Sequence, residues 1–139
     1  MNITTTSLII TGYLMTEDDM KRLSKDTDGL LTYEYIANHI GDENLDISRL
    51  TDNMIKVDLT GQFVVSAARY LAAIDPHGFS GAIDRLVKAA IDKDREHRYI
   101  PDLLPSLWGV DYETRAEELI RTDDNFRRIH KRVFASGKI

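Results

Sequence analysis

Two short helical segments on either side of Gly41 constrain the fold of this chain more than any other feature of its sequence. Ala37 precedes the glycine by four residues, and Ile47 follows it by six. Gly41 is expected to end the first of these helices. Three more apolar residues share the buried side at helical spacing: Ile36, Ile40 and Leu50. The pattern predicts helices at about 31–40 and 45–53.

A β-hairpin is expected directly after these helices. Apolar and polar residues alternate over 55–59, which is the period of a half-buried strand. Thr60 and Gly61 offer a tight turn, and residues 62–65 can return as the second strand. A helix that is apolar nearly all round is predicted at 67–74.

The rest of the chain consists of an N-terminal segment and a helical C-terminal part. Residues 1–15 are expected to form a strand or an arm. Thr16 offers a hydroxyl N-cap for a helix at about 17–25, whose first turn is acidic. Residues 76–139 carry apolar stripes at helical spacing and are predicted to be entirely helical. Trp108 is expected in the core or, if exposed, as an anchor for a partner. The sequence shows no internal repeat.

Residues 16–75 as a whole resemble a winged helix-turn-helix domain. The order helix, helix, helix, hairpin and helix is that of the family, and Ala37, Gly41 and Ile47 match its motif positions. The resemblance implies that the small residue lets the two helices cross closely, that Gly41 has the positive φ of a sharp turn, and that Ile47 locks the second helix onto the first. The resemblance implies a mainly α fold with a small β-hairpin. It also implies a recognition helix at 43–53 that enters the major groove of DNA, while the hairpin contacts the backbone. Residues 76–139 lie outside the resemblance and are interpreted as a helical dimerisation or effector region, with a homodimer as a possible assembly. An unrelated small α+β domain with the same spacing is the alternative.

The resemblance also implies which residues contact DNA or a partner. On the recognition helix and the hairpin these are Asn44, Ser48, Arg49, Asn53 and Lys56. The helix departs from a DNA-reading pattern because Arg49 is accompanied by four acids: Asp42, Glu43, Asp46 and Asp52. Phosphate neutralisation supplies most of the nonspecific affinity for DNA, and an acidic helix lacks it.

Two functional hypotheses follow from this region. The first is a small DNA-binding transcriptional regulator that binds double-stranded DNA. The alternative is a protein-binding winged-helix adaptor or inhibitor, whose acidic surface fits a basic groove on a protein partner.

The last predicted helix carries the most basic surface of the chain. Its four cations lie on one side at i, i+1, i+4 and i+5: Arg127, Arg128, Lys131 and Arg132. Such a surface can bind phosphates or an acidic partner. The alternative is a solvated face opposite the apolar stripe that contains Phe126 and Ile129.

Composition excludes several classes of function. The chain has no cysteine, which rules out disulfides, thiolate chemistry and Cys-based zinc sites. Its four histidines are scattered, and neither a Gly-rich phosphate loop nor a nucleophile motif is present. We therefore expect no cofactor and no enzymatic activity, with an active site assembled from scattered residues as the third hypothesis.

The charge distribution and the apolar runs bear on partners and location. The net charge is −5, with 6 Lys/Arg against 13 Asp/Glu in residues 1–84 and 12 against 10 in residues 85–139. Nucleic acid would be repelled by the first part and attracted by the second. No signal peptide and no membrane-spanning run is recognised, so the protein is expected to be cytoplasmic.

Overall fold

The computed structural model describes residues 16–137, and this part of the chain is built from helices alone. It contains eight α-helices and two 3₁₀ turns. In chain order these are α1 (Glu17–Ser24), α2 (Leu30–His39), α3 (Ile47–Val57), α4 (Gln62–Ile74), α5 (Ser80–Lys93), a 3₁₀ turn (Ile100–Asp102), α6 (Leu103–Trp108), a second 3₁₀ turn (Tyr112–Arg115), α7 (Ala116–Thr122) and α8 (Asp124–Gly137). The strand or arm predicted for residues 1–15 lies outside the described residues.

The predicted β-hairpin does not occur between residues 16 and 137, so the expected fold class with a hairpin is wrong. Residues 55–57 continue α3, and residues 62–65 form the first turn of α4. Leu50 and Val57 lie two turns apart on one buried face of α3, whereas Leu59, which the strand period would bury with Val57, is 75% exposed. The alternation over five residues was therefore incidental to a helical stripe.

Helices α1 to α6 pack as two rows. The odd-numbered helices α1, α3 and α5 contact one another in order, and so do the even-numbered helices α2, α4 and α6. The most extensive helix–helix contact, between α4 and α5, joins the rows. Each helix contributes to one continuous core, in which Leu23, Ile36, Leu50, Leu71 and Leu86 are fully buried. Burial of an aliphatic side chain of this size contributes about 2 kcal/mol, so this core is the main stabilising element of the array.

The C-terminal helices close one end of the array. α8 packs on α5, on α6 and on the first 3₁₀ turn, with Phe126 and Ile129 fully buried, and α7 packs mainly on α8. The core therefore contains residues from both sides of the boundary predicted at 75/76. The role of residues 76–139 in dimerisation or as an effector region stays a prediction. None of the helices between residues 16 and 137 has both the length and the apolar character that crossing a bilayer requires.

A buried aspartate organises each of the three loops that lead from an odd-numbered helix (α1, α3, α5) to the helix that follows it. Asp26 follows α1, Asp58 follows α3 and Asp94 follows α5, and all three side chains are buried. One carboxylate oxygen of each accepts the backbone N–H six residues later, at 2.9 Å from Thr32, 2.8 Å from Val64 and 2.8 Å from Ile100. These N–H groups lie at the beginnings of α2 and α4 and of the first 3₁₀ turn, where they have no partner within the helix. Each aspartate therefore holds the start of the following helix.

The three loops also share a backbone conformation. The residue three positions after each aspartate has positive φ: Gly29 at 107°, Gly61 at 94° and His97 at 56°. The aspartates are spaced by 32 and 36 residues, so residues 16–137 contain three helix–loop–helix units in succession. The expectation of no internal repeat is thus wrong at the level of structure. The sequence conceals the repeat because the third loop has histidine where the others have glycine, and because the helices share only their apolar character.

Candidate functional site

The two predicted central helices form, but the turn between them differs from the predicted motif. α2 and α3 pack against each other, and Ala37 and Ile47 are both partly buried. Gly41 does not have positive φ, and no neighbouring atom lies within 4 Å of the position that its Cβ would occupy. The expected role of Gly41 is therefore wrong. Positive φ values occur instead at other positions, among them Gly29 and Gly61, which precede α2 and α4.

Four of the predicted contact residues around α3 lie on the surface: Asn44, Ser48, Arg49 and Lys56. Asn53 is only 6% exposed, so its expected place on the reading face is wrong. Its Nδ2 donates to the carbonyl oxygen of Leu23 at 2.9 Å and to Thr32 Oγ1 at 3.0 Å. The side chain ties α3 to the end of α1 and the start of α2. The signal that could have shown this is its position three residues after buried Leu50, on the same helical face.

The exposed side chains of α3 are mostly engaged with neighbouring helices. Arg49 Nη1 lies 3.2 Å from Glu17 Oε2 on α1. Asp52 forms an ion pair with Arg85 of α5, which also donates to Ser48 Oγ at 3.4 Å. Exposed ion pairs contribute only about 0–1 kcal/mol to stability, but they reduce the charge that α3 offers to a partner.

Carboxylates from two distant parts of the sequence meet beside the N-termini of α1 and α3. We use the name acidic face for the six acids of these two segments, which are Glu17, Asp18 and Asp19 in the first turn of α1, Asp42 and Glu43 in the loop before α3, and the N-cap Asp46. The ion pair between Arg49 and Glu17 joins the two segments. Tyr35 lies between them, and its hydroxyl donates to Asp19 Oδ2 at 3.3 Å. The folded chain therefore combines acids that the sequence separates by more than twenty residues.

The ionisation of Tyr35 reflects the field of the acidic face. Burial raises the pKa of its phenol, and the carboxylates of Asp19 and Asp42 raise this pKa further. Both segments therefore act on one hydroxyl group. Among the described residues only Arg22 and Arg49 form ion pairs with the face, at 3.9 and 3.2 Å. Six carboxylates against two guanidinium groups leave a formal charge of −4.

The basic residues of α8 are largely paired with acids or with the backbone. Arg127 pairs with Asp124, and Arg128 lies 3.6 Å from Asp92 of α5. Arg132 Nη1 donates to the carbonyl oxygen of Arg128 at 2.9 Å, and Lys131 is exposed. This pairing lowers the positive potential of the helix, and its binding of phosphates or of an acidic partner stays a prediction.

Metal binding and relatedness give no further indication of a site. In the part of the chain from 16 to 137, no three His, Asp or Glu side chains are grouped so that they could hold a metal ion. Comparisons of the chain with protein-family models, with curated proteins and with solved structures gave no match. The resemblance to winged helix-turn-helix domains therefore rests on the residues of this chain alone.

Proposed function

We propose that this protein is a protein-interaction module that binds a partner with a basic surface through the acidic face. The observation that carries the proposal is the meeting of two acidic segments on one surface with only two cations paired to them. Opposite potentials on two proteins accelerate their encounter and select the partner. Rows of stacked helices also form the binding surfaces of helical repeat proteins, which supports the proposal by analogy of fold only.

The proposal follows the second hypothesis from the sequence, a protein-binding adaptor or inhibitor with an acidic surface, but without the β-hairpin wing. A DNA-binding surface needs cations that neutralise the phosphates of the DNA backbone. The acidic face is negatively charged and repels those phosphates. The hairpin expected to contact the DNA backbone is replaced by the end of α3 and the start of α4. We therefore favour a protein partner over double-stranded DNA, and we propose a cytoplasmic location, which cell fractionation tests.

Two charge-reversed variants with equal net charge test the proposal. Asp18→Lys with Glu43→Lys changes the acidic face at side chains that form no ion pair with another described residue. Asp46 is unsuitable because its carboxylate accepts the N–H of Arg49 at 3.1 Å and caps α3. The control is Glu117→Lys with Glu118→Lys, two exposed acids of α7, which packs mainly on α8.

The measurement is fluorescence anisotropy with a labelled oligolysine peptide, and in parallel with labelled duplex DNA, at about 50 and 200 mM salt. We expect the wild type and the α7 control to bind the peptide, and the acidic-face variant to bind at least about tenfold more weakly, which corresponds to about 1.4 kcal/mol. Equal weakening in both variants would mean that only net charge matters. That result, or tight binding of duplex DNA by the wild type, would overturn the proposal.

A further inference from the structure

A surface cavity of about 350 Å³ lies where α4, α5, α6 and α8 meet, and no residue of the acidic face contributes to it. Ile83, Val87 and Leu107 form an apolar wall, and Asp84 and Asp123 lie among the polar lining residues. Small-ligand sites in proteins have volumes of about 300–1,000 Å³, so the cavity can hold a group the size of a long side chain.

Asp123 is fixed in position by two hydrogen bonds. Its Oδ2 accepts the indole N–H of Trp108 at 2.8 Å, and its Oδ1 accepts the backbone N–H of Phe126 at 3.1 Å. Each oxygen of a carboxylate can accept a second hydrogen bond. No Lys or Arg of residues 16–137 forms an ion pair with Asp123, so its charge is not neutralised by that part of the chain.

Asp84, which lies on α5, is also fixed in position by two hydrogen bonds. Its Oδ1 accepts from Asn125 Nδ2 at 2.9 Å, and its Oδ2 accepts from Lys88 Nζ at 2.7 Å. Asn125 Oδ1 is buried and accepts no hydrogen bond from a described residue. The two carboxylate groups of Asp84 and Asp123 therefore bring four acceptor oxygens to the lining of the cavity. With Asp84 paired to Lys88 and Asp123 unpaired, it has a formal charge of −1.

We propose that this cavity binds a protonated amine or guanidinium group on an apolar stem. Ammonium and guanidinium groups are donors only, which complements a cavity rich in acceptors, and their bonds to carboxylates are about twice as strong as neutral ones. The methylenes of the stem would contact Ile83, Val87 and Leu107. The cation belongs either to a free small molecule or to a Lys or Arg side chain of a peptide.

Trp108 allows a direct test because it is the only tryptophan of the chain and lines the cavity. The full-length protein is titrated with n-butylammonium, n-butylguanidinium, neutral n-butanol and acetyl-Gly-Arg-Gly-amide, with tryptophan fluorescence as the first readout and calorimetry as the second. We expect a saturable change with at least one cationic probe and none with butanol. Butanol that binds as well as the cations, or no saturable change with any probe up to about 10 mM, would overturn the proposal.

Two matched variants of α5 locate the site. Asp84→Asn keeps the shape of the side chain and can still accept from Asn125. It removes the negative charge of Asp84, so that Lys88 offsets the charge of Asp123, and we expect cation binding to weaken about tenfold. Asp92→Asn is the control, because Asp92 lies eight residues further along the same helix and pairs with Arg128 outside the cavity. Equal binding by Asp84→Asn and the wild type would contradict the site.

The probes also separate the two sources of the cation and the two proposals. Binding of the free cations without the peptide would support a small-molecule ligand, and tighter binding of the peptide would support a side chain of a partner. The acidic-face variant Asp18→Lys with Glu43→Lys should bind the cations like the wild type. Failure of the cavity proposal therefore leaves the proposed function standing, and the reverse also holds.

Discussion

The first two aspartate loops and the third reach the same conformation with different residues. Gly29 and Gly61 have positive φ in the loops after α1 and α3, whereas His97 has positive φ in the loop after α5. In all three loops the carboxylate still accepts the N–H of the sixth following residue. The buried carboxylate is therefore what all three loops need for this conformation. The glycine of the first two loops is needed for a different reason.

That second reason is the packing of each unit on the next. A Cβ at Gly29 would lie 3.0 Å from Phe63 Cβ, and a Cβ at Gly61 would lie 3.0 Å from Asp94 Cβ and 3.2 Å from its backbone nitrogen. Between residues 16 and 137 no fourth loop of this kind follows the third, where the side chain of His97 is accommodated in a partly buried position. Glycine thus occurs in the two loops on which the next unit packs, whereas the buried aspartate occurs in all three loops.

Removal of a buried loop aspartate should have the largest effect on stability. Asp58 accepts the backbone N–H groups of Thr60, Gly61, Phe63 and Val64 at 2.8–3.0 Å. Asp58→Ala leaves several of these donors buried without a partner, and we expect a loss of about 3–5 kcal/mol in the free energy of unfolding, measured with urea. Asp75→Ala, which removes an exposed carboxylate bonded to Gly78 at 2.9 Å, serves as control with a loss of about 1 kcal/mol or less. Equal losses would break the distinction between buried and exposed loop aspartates.

Substitution of a covered glycine should have the next largest effect. Gly61→Ala places a side chain at positive φ and against Asp94, so we expect a loss of about 2–4 kcal/mol. His97→Ala keeps a Cβ that is already present in the third loop and should change stability by less than about 0.5 kcal/mol. Similar losses at 61 and 97 would show that packing of the next unit is not the reason for glycine.

Acid should weaken the first loop. Burial on its own raises the pKa of Asp26, but the hydrogen bonds from the backbone and hydroxyl of Thr32 and from the backbone of Gly29 and Asp28 outweigh it and hold the pKa below its ordinary value. A group with a lowered pKa contributes stability above its unfolded pKa, about 3.9, and loses that contribution as the pH falls through its folded pKa. We expect the difference in unfolding free energy between wild type and Asp26→Asn to shrink below about pH 4. A difference that stays constant from neutral pH to pH 3 would contradict this assignment.

Relief of positive φ in the third loop should stabilise the protein slightly. His97→Gly removes the conformational strain at φ 56° but adds freedom to the unfolded chain, so we expect a gain of about 0.5–1 kcal/mol. His97→Ala, which keeps the strain, should show no such gain. Equal stability of both variants would mean that the loop conformation is not strained by a side chain.

The smallest effect is expected at Gly41, the glycine that the sequence pattern favoured. Its φ is not positive and the space around its Cβ position is empty, so Gly41→Ala should raise the unfolding free energy by about 0.5 kcal/mol. A loss of stability as large as that expected for Gly61→Ala would instead support the sharp turn with positive φ that the sequence predicts at Gly41.

Patterns confined to one helix could be predicted from the sequence. Thr16 caps α1 as expected, because its Oγ1 accepts the N–H of Asp19 at 3.0 Å. Residues 76–137 are helical as predicted, with Phe126 and Ile129 inward. The hairpin prediction for residues 55–65 is wrong because an alternation of only five residues fits a strand and also overlaps the helical stripe through Leu50 and Val57.

The site depended on contacts that no local pattern reveals. Asn53 could face outward or inward, and only Leu23 and Thr32, which belong to other helices, place it inside. Nothing in the sequence relates Asp19 to Asp42, whereas in the structure the hydroxyl of Tyr35 donates to Asp19 and the carboxylates of both residues raise its pKa.

Short helices with apolar stripes could be inferred from the sequence alone, because helical periodicity and capping depend on residues within a few positions of one another. Three features arise only from tertiary packing: α3 runs through the predicted strand, the aspartate loop repeats, and particular charges come together. Burial and electrostatic fields depend on distance in space, and the residues that create them here are separated by about thirty positions in the chain.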